Sequence, residues 1–151
     1  MNEPMNLKKT CAMMLILAMI LSTPAMATSS RVRRVLTTAV RQIGTPYALV
    51  SNAPHSFNCA SFVAYCYNRA QRGTITYRGI NHRYHKYRSI GNVKPGDVLC
   101  FNASGPGPID FHMGIYLGRG YFIHASNKAG RVTASKLKRY RSRFVGGIRI
   151  F

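Results

Sequence analysis

The strongest constraint on the fold is a change of hydrophobic period along the chain. Over residues 31–42, Val32, Val35, Leu36, Ala39 and Val40, followed by Ile43, recur at helical spacing. Gly44-Thr45-Pro46 ends that pattern. A second helix is predicted over residues 59–70, with Ala60, Val63, Ala64 and Tyr67 as its apolar stripe. Asn58 is placed to cap it and Gly73 to stop it. Residues 47–57 between the helices read as a loop with turn chemistry at Ser51-Asn52-Ala53-Pro54. Beyond Pro95 the pattern changes to short apolar runs at residues 98–101, 111–117, 121–125 and 145–151. Gly118-Arg119-Gly120, between two of these runs, is a hairpin signal. Helices followed by antiparallel strands predict an α+β domain, its N-terminal helices packed on a central antiparallel β-sheet. Residues 74–91 are polar, aromatic and basic and take no assignment.

Residues 1–27 read as a secretory leader. Lys8 and Lys9 give the positive start, residues 11–21 the apolar run, and Ala25-Met26-Ala27 a small-x-small cleavage site. The apolar run is too short to span a bilayer, which needs about 20 residues. The expected division is a signal peptide over 1–27 and a single domain over 28–151, exported to the periplasm or secreted. Export bears on the cysteines. Cys59, Cys66 and Cys100 remain after the leader, an odd number in a compartment that permits disulfides. Either Cys66 and Cys100 pair and leave Cys59 as a free thiol, or all three are reduced.

Composition excludes several chemistries. The chain carries 22 Lys and Arg against three acids, for a net charge of +19. The acids are Glu3, Asp97 and Asp110. A calcium cage or a two-metal site needs more carboxylates than these, and a catalytic carboxylate pair would have to be Asp97 and Asp110. Asp97 follows Pro95-Gly96 and reads as a turn stabiliser. Asp110 lies two residues before His112 and is a rival orienting group for it. His82 and His85 have the spacing of a short-loop metal pair without further ligands to match, and neither metal nor cofactor is expected. His55 reads as exposed.

The candidate chemistry lies elsewhere. With Gly118 as the centre of the hairpin turn, His112 and His124 stand directly opposite on one sheet face, with Cβ atoms about 4.5–5.5 Å apart. One imidazole then serves as base while the other holds its orientation and tautomer. Cys59 opens the second helix, where free N–H groups and the helix dipole favour a thiolate. Nucleophile, base and orienting group are therefore predicted as Cys59, His112 and His124. The same N–H groups suit an oxyanion.

Five segments extend this reading. They are Gly44-Thr45-Pro46-Tyr47, Phe57-Asn58-Cys59, Lys94-Pro95-Gly96-Asp97-Val98-Leu99, His112-Met113-Gly114-Ile115-Tyr116-Leu117-Gly118 and Phe122-Ile123-His124-Ala125-Ser126. In order and spacing the chain from Arg31 to Phe151 resembles the NlpC family of papain-like cysteine peptidases, which cleave the peptide stems of bacterial cell walls. The resemblance implies an NlpC-type papain-like fold and peptidoglycan stems as substrate. It matches Cys59 to the nucleophile, His112 to the base and His124 to the third polar residue. It also matches Tyr47 to a tyrosine near the oxyanion and sets Asn58 at the substrate edge. The family's usual Asp-Cys-Ser-Gly is Asn58-Cys59-Ala60-Ser61 here, so the edge that reads a free stem amine lacks its charge and hydroxyl. Two other classes compete: a cationic, non-catalytic wall-binding protein on a degenerate peptidase scaffold, and a toxin or effector hydrolase with another amide substrate.

Loss of Lys8, Lys9 and Glu3 with the leader takes the charge from +19 to +18. Such a field attracts anionic cell-envelope polymers. Export makes nucleic acid an unexpected partner, and a monomer is expected.

Overall fold

A computed structural model describes residues 29–75, 89–102 and 111–151. The leader, His82, His85 and Asp110 lie outside the described residues. Helix α1, Ser30–Arg41, begins where the Ser29 side chain accepts the Val32 N–H at 3.3 Å. It buries Val35, Leu36, Ala39 and Val40, the stripe that its sequence spacing predicts. Helix α2, Cys59–Ala70, starts with a capping box. Asn58 Oδ1 accepts the Ser61 N–H at 2.9 Å, and Ser61 Oγ accepts the Asn58 N–H at 3.0 Å. Its buried face is Phe62, Val63, Cys66, Tyr67 and Ala70. Ala60 and Ala64, expected on that stripe, are only half-buried, because the larger Phe62 and Cys66 turn inward in their place.

Five strands form one antiparallel sheet: β1 Val98–Asn102, β2 Phe111–Gly118, β3 Tyr121–Ser126, β4 Arg131–Lys136 and β5 Phe144–Ile148. Their spatial order is β4-β3-β2-β1-β5. Strand β4 has no counterpart in the sequence expectation. Its alternation is carried only by Val132 and Ala134 among basic and hydroxyl residues, yet Val132 is fully buried. The last strand ends at Ile148 rather than at 151.

Alternation gives the sheet two different faces. Val98, Cys100, Met113, Ile115, Ile123, Ala125, Val132 and Ile148 lie under α1 and α2 in the larger core. Leu99, Phe101 and Phe122 face the other way and are covered by Leu137 and Tyr140 of a 3-10 helix, Leu137–Arg143, and by Phe144. Cys66 and Cys100 are separate buried thiols, so the disulfide alternative does not occur.

Asp97 locks the corner where β1 begins. Its carboxylate accepts the Lys94 N–H at 2.8 Å and two N–H groups of Arg149, at 2.8 and 2.7 Å. The Tyr67 hydroxyl donates to the Gly96 carbonyl in the same turn, tying α2 to it. Gly96 has φ +89, a conformation that favours glycine. Asp97 is 2% exposed, so its loss leaves the Lys94 N–H without its acceptor and takes the ion pair from the partly exposed Arg149. Asp97→Ala should cost about 2–3 kcal/mol in chemical denaturation.

Candidate active site

The hairpin register brings the two histidines together differently from the sequence expectation. Arg119 and Gly120 form the turn, with φ of 50 and 77, and Gly118 (φ 98) lies where the register shifts. Ile115 pairs with Ile123 and Tyr116 with Phe122. One further step along this ladder sets His124 across from Gly114, not across from His112. The difference is two residues, so both histidines keep the same face. They are diagonal neighbours, whose Cα atoms are about 7–8 Å apart.

Gly114 closes the remaining gap. A Cβ there would stand 2.7 Å from the Ile123 carbonyl oxygen, 2.7 Å from the Phe122 ring and 2.9 Å from His124 Cβ. Without one, β3 comes close and the His112 ring reaches across. His112 Nε2 lies 2.6 Å from His124 Nδ1. His124 Nε2 lies 3.0 Å from Ser135 Oγ on β4. The series His112, His124, Ser135 crosses three adjacent strands. Ser135 was not among the expected residues, because β4 was not.

Aromatic packing holds the relay. His124 is 1% exposed and stacks on Phe122 at 4.7 Å, while Tyr140 meets it edge-on at 5.6 Å. Phe101, opposite His112 on β1, backs that ring at 6.3 Å.

Cys59 enters from the helical side. The N–H groups of Met113, Ala60 and Cys59 itself act on its sulfur and favour the anion. Met113 neighbours His112 and lies beyond the last β2–β3 pair, at Ile115. The helix start therefore acts in the expected direction, but burial acts more strongly and raises the thiol above its ordinary value. Cys100, close enough to feel a charge on Cys59, is pushed up to about 12, chiefly by burial.

Burial, and then the charge of Arg143, lower His112 to about 4. Burial, His112 and Arg143 lower His124 to about 3. At neutral pH both rings are uncharged and the thiol holds its proton. The sequence reading expected a thiolate; desolvation reverses that for the resting site.

Tyr47 and Asn58 lie at the two ends of the loop that precedes Cys59. Tyr47 bridges to Phe57 and packs partly buried against the main core. The Ala48 N–H donates to the Phe57 carbonyl at 2.9 Å, and the Phe57 N–H to that of Pro46 at 3.0 Å, closing the loop at its base. Asn58 is 8% exposed, and its Nδ2 donates to the Leu49 carbonyl at 3.0 Å. Both ends of this amide are thus used, one on the helix and one on the loop. Asp97 sits in its own corner with Arg149, and His55 is exposed. Among the described residues no three His, Cys, Asp or Glu side chains gather as metal ligands would.

The NlpC/P60 family model matches residues 44–149. Over 123 residues the chain is 28% identical to the probable peptidoglycan endopeptidase LytE of Bacillus subtilis, covering 81% of this chain and 35% of that protein. It is 31% identical over 117 residues to the probable endopeptidase YafL of Escherichia coli, covering 73% and 46%. The chain spans less than half the length of either relative. Among solved structures, the NlpC/p60 domain of the peptidoglycan hydrolase SagA superposes with a TM-score of 0.64 at 26% identity, covering 78% of this chain and 97% of that one.

Two measurements check the site. NMR titration should find both imidazoles neutral at pH 6, with His112 titrating near 4; Arg143→Gln, which removes a cation, should move both midpoints upward. Gly114→Ala should cost about 1–3 kcal/mol in thermal unfolding, because the added methyl meets backbone that cannot yield.

Proposed function

This chain belongs to the NlpC/P60 family, and we propose that it is an exported cysteine endopeptidase that hydrolyses amide bonds in peptidoglycan stems. The observation that carries the reading is the 2.6 Å contact between His112 Nε2 and His124 Nδ1, beside a thiol at a helix start. The papain-like fold shared with SagA supports it.

The proton positions follow from what His112 has to do. To accept the thiol proton on Nδ1, it carries its own proton on Nε2 and donates that to His124 Nδ1. His124 is then protonated on Nε2 and donates to Ser135 Oγ. Cys59 Sγ attacks the carbonyl carbon as its proton passes to His112. The new imidazolium is held by a neutral acceptor, His124, whose low basicity keeps the proton on His112. The Ser61 N–H is occupied by Asn58 Oδ1 and the Phe62 N–H by the Asn58 carbonyl, while those of Cys59 and Ala60 face the sulfur. The N–H groups at the helix start receive the oxyanion, with Tyr47 in the supporting role that the match to the family's tyrosine implies. His112 then protonates the leaving amine and the tetrahedral carbon collapses to a thioester. Water, deprotonated by the same imidazole, attacks the thioester, and the acid leaves with Cys59 restored as a thiol.

Asn58 shapes the substrate edge through the loop that it holds. A carboxylate at this position could cap the helix but could not donate to the Leu49 carbonyl. The edge is therefore uncharged. The basic surface of β4 and the 3-10 helix, with Lys128, Arg131, Lys136, Lys138, Arg139 and Arg141 exposed, suits anionic envelope polymers. Residues 1–27 serve as the leader, which N-terminal sequencing of the exported product would check. The non-catalytic alternative draws on the same Asn58 and on the raised thiol.

Purified muropeptides incubated with protein lacking residues 1–27 decide between them. Mass analysis should find cleaved stems with wild type, and a rate lower by about 10³-fold or more with Cys59→Ala. His124→Ala should lower kcat by about 10²-fold. Identical products from wild type and Cys59→Ala would end the peptidase reading.

A further inference from the structure

The outward face of α2 serves neither the core nor the catalytic groups. The helix turns Phe62, Val63, Cys66, Tyr67 and Ala70 inward. On its other side a groove of about 500 Å³ separates it from the preceding loop, lined by Ser51 and Ala53 of the loop and by Ala64, Tyr65, Arg69 and Arg72 at the helix. The loop is closed on itself. The Asn52 N–H donates to Ser56 Oγ at 3.0 Å, and the Asn52 carbonyl accepts the His55 and Ser56 N–H groups at 2.7 and 3.0 Å. Immediately before Ser51 this loop holds out Leu49 and Val50, 80% and 88% exposed. Among the described residues the next most exposed large apolar side chain, Val145, reaches only 40%. Asn68, on the groove wall, spends both ends of its amide on the Ile75 backbone. The strong donors that remain at the groove are the two guanidinium groups.

Arg69 and Arg72 are exposed and form no ion pair among the described residues, where the acid Asp97 is held by Arg149. The stretch 76–88 that follows contains no acid in its sequence. Once residues 1–27 are removed, the other acid of the chain is Asp110, and the chain attaches it at the opposite end of the helix. The Met113 N–H acts on the Cys59 sulfur, whereas Tyr116 is hydrogen-bonded to the turn that the Tyr67 hydroxyl reaches. Strand β2 therefore runs alongside α2 from its first residue towards its last turns. Phe111, to which Asp110 is joined, precedes Met113 by two residues, and Arg69 follows Cys59 by ten. By strand and helix rise this is a separation of about 20 Å, and the two arginines lie on the helix face turned away from β2.

Two apolar side chains held in water beside two cations have the make-up of an interfacial anchor. Moving Leu and Val out of water is favourable, and an arginine at the same level keeps its guanidinium among phosphates while its methylenes stay in the apolar layer. Each cation close to an anionic leaflet adds to the attraction, and the net charge of +18 left without the leader draws the protein there. A wall polymer would use the cations but leave Leu49 and Val50 in water. We propose that this face docks on an anionic phospholipid surface: Leu49 and Val50 enter the boundary between headgroups and acyl chains, and Arg69 and Arg72 hold lipid phosphates at the groove. Cys59 is turned towards β2, so the docking face is distinct from the catalytic groups. The inference does not depend on the peptidase reading.

The chain has no tryptophan, so Val50→Trp supplies a single fluorescent reporter. With protein lacking residues 1–27 and vesicles of equimolar phosphatidylcholine and phosphatidylglycerol, its emission should shift to the blue and be quenched by lipids brominated on their acyl chains. With phosphatidylcholine alone neither should occur. In co-sedimentation with the mixed vesicles, Leu49→Ser/Val50→Ser should bind about 10-fold more weakly or worse. Arg69→Gln/Arg72→Gln should bind roughly 10- to 30-fold more weakly. Arg139→Gln/Arg141→Gln removes the same charge from the exposed side of the 3-10 helix, across the sheet, and should lose less than about 3-fold, because salt screens charges that do not touch the surface. No binding, bound protein without a blue shift, or equal losses from the two arginine pairs overturns the proposal. So does binding to isolated sacculi that needs Leu49, Val50, Arg69 and Arg72 while vesicles stay unbound, which would give the face to a wall polymer.

Discussion

The site depends on how closely β2 and β3 approach each other at Gly114. Two imidazoles set diagonally across a ladder do not ordinarily share a hydrogen bond. Here the position between them has no side chain, and the Ile123 carbonyl, the Phe122 ring and His124 Cβ occupy the space that one would need. The His112–His124 contact and its continuation to Ser135 follow from that approach. So does the low basicity of both rings, since the same close packing removes them from water.

The division of the sheet into two faces is equally consequential. The larger core under the helices supports α2, whose first residue is the thiol, while the smaller aromatic cluster under the 3-10 helix supports the histidines. Cys59 and the histidines are thus held by separate packing units that meet near the start of β2, at Met113. The corner at Asp97 joins those units at one end, because it ties the turn before β1 to α2 and to the residue after β5. Among the described residues Asp97 is the acid present, and it serves architecture. A series of neutral imidazoles and a hydroxyl suits so acid-poor a chain, since His124 and Ser135 are able to orient the His112 ring without calling on Asp97.

Much of this was legible beforehand where a local rule governs. The spacing of Val35, Leu36, Ala39 and Val40 indicated α1, and Asn58 as N-cap marked the start of α2 to the residue. The hairpin at Arg119-Gly120 followed from its glycines. Strand β4 was hidden because only Val132 and Ala134 mark its inner face, and its partner is β3 rather than its own composition. With it went Ser135. The register of His112 and His124 was misplaced by two residues, since a turn centred between Arg119 and Gly120 and a shift beside Gly118 are not readable from residue type alone.

The sequence by itself determined that two helices precede an antiparallel sheet, the family and the identity of the cysteine and histidines that the family's motifs mark, because each rests on spacing or on residue chemistry. The tertiary structure alone decided how those groups are poised. Helix termini favour a thiolate wherever they occur, but the balance at Cys59 turns on how much water is excluded around it, and burial won. Arg143 is distant from His112 in sequence and becomes its electrostatic neighbour only when the 3-10 helix folds over the sheet. Desolvation and through-space charge are properties of assembled surfaces, so no local pattern in the chain records them.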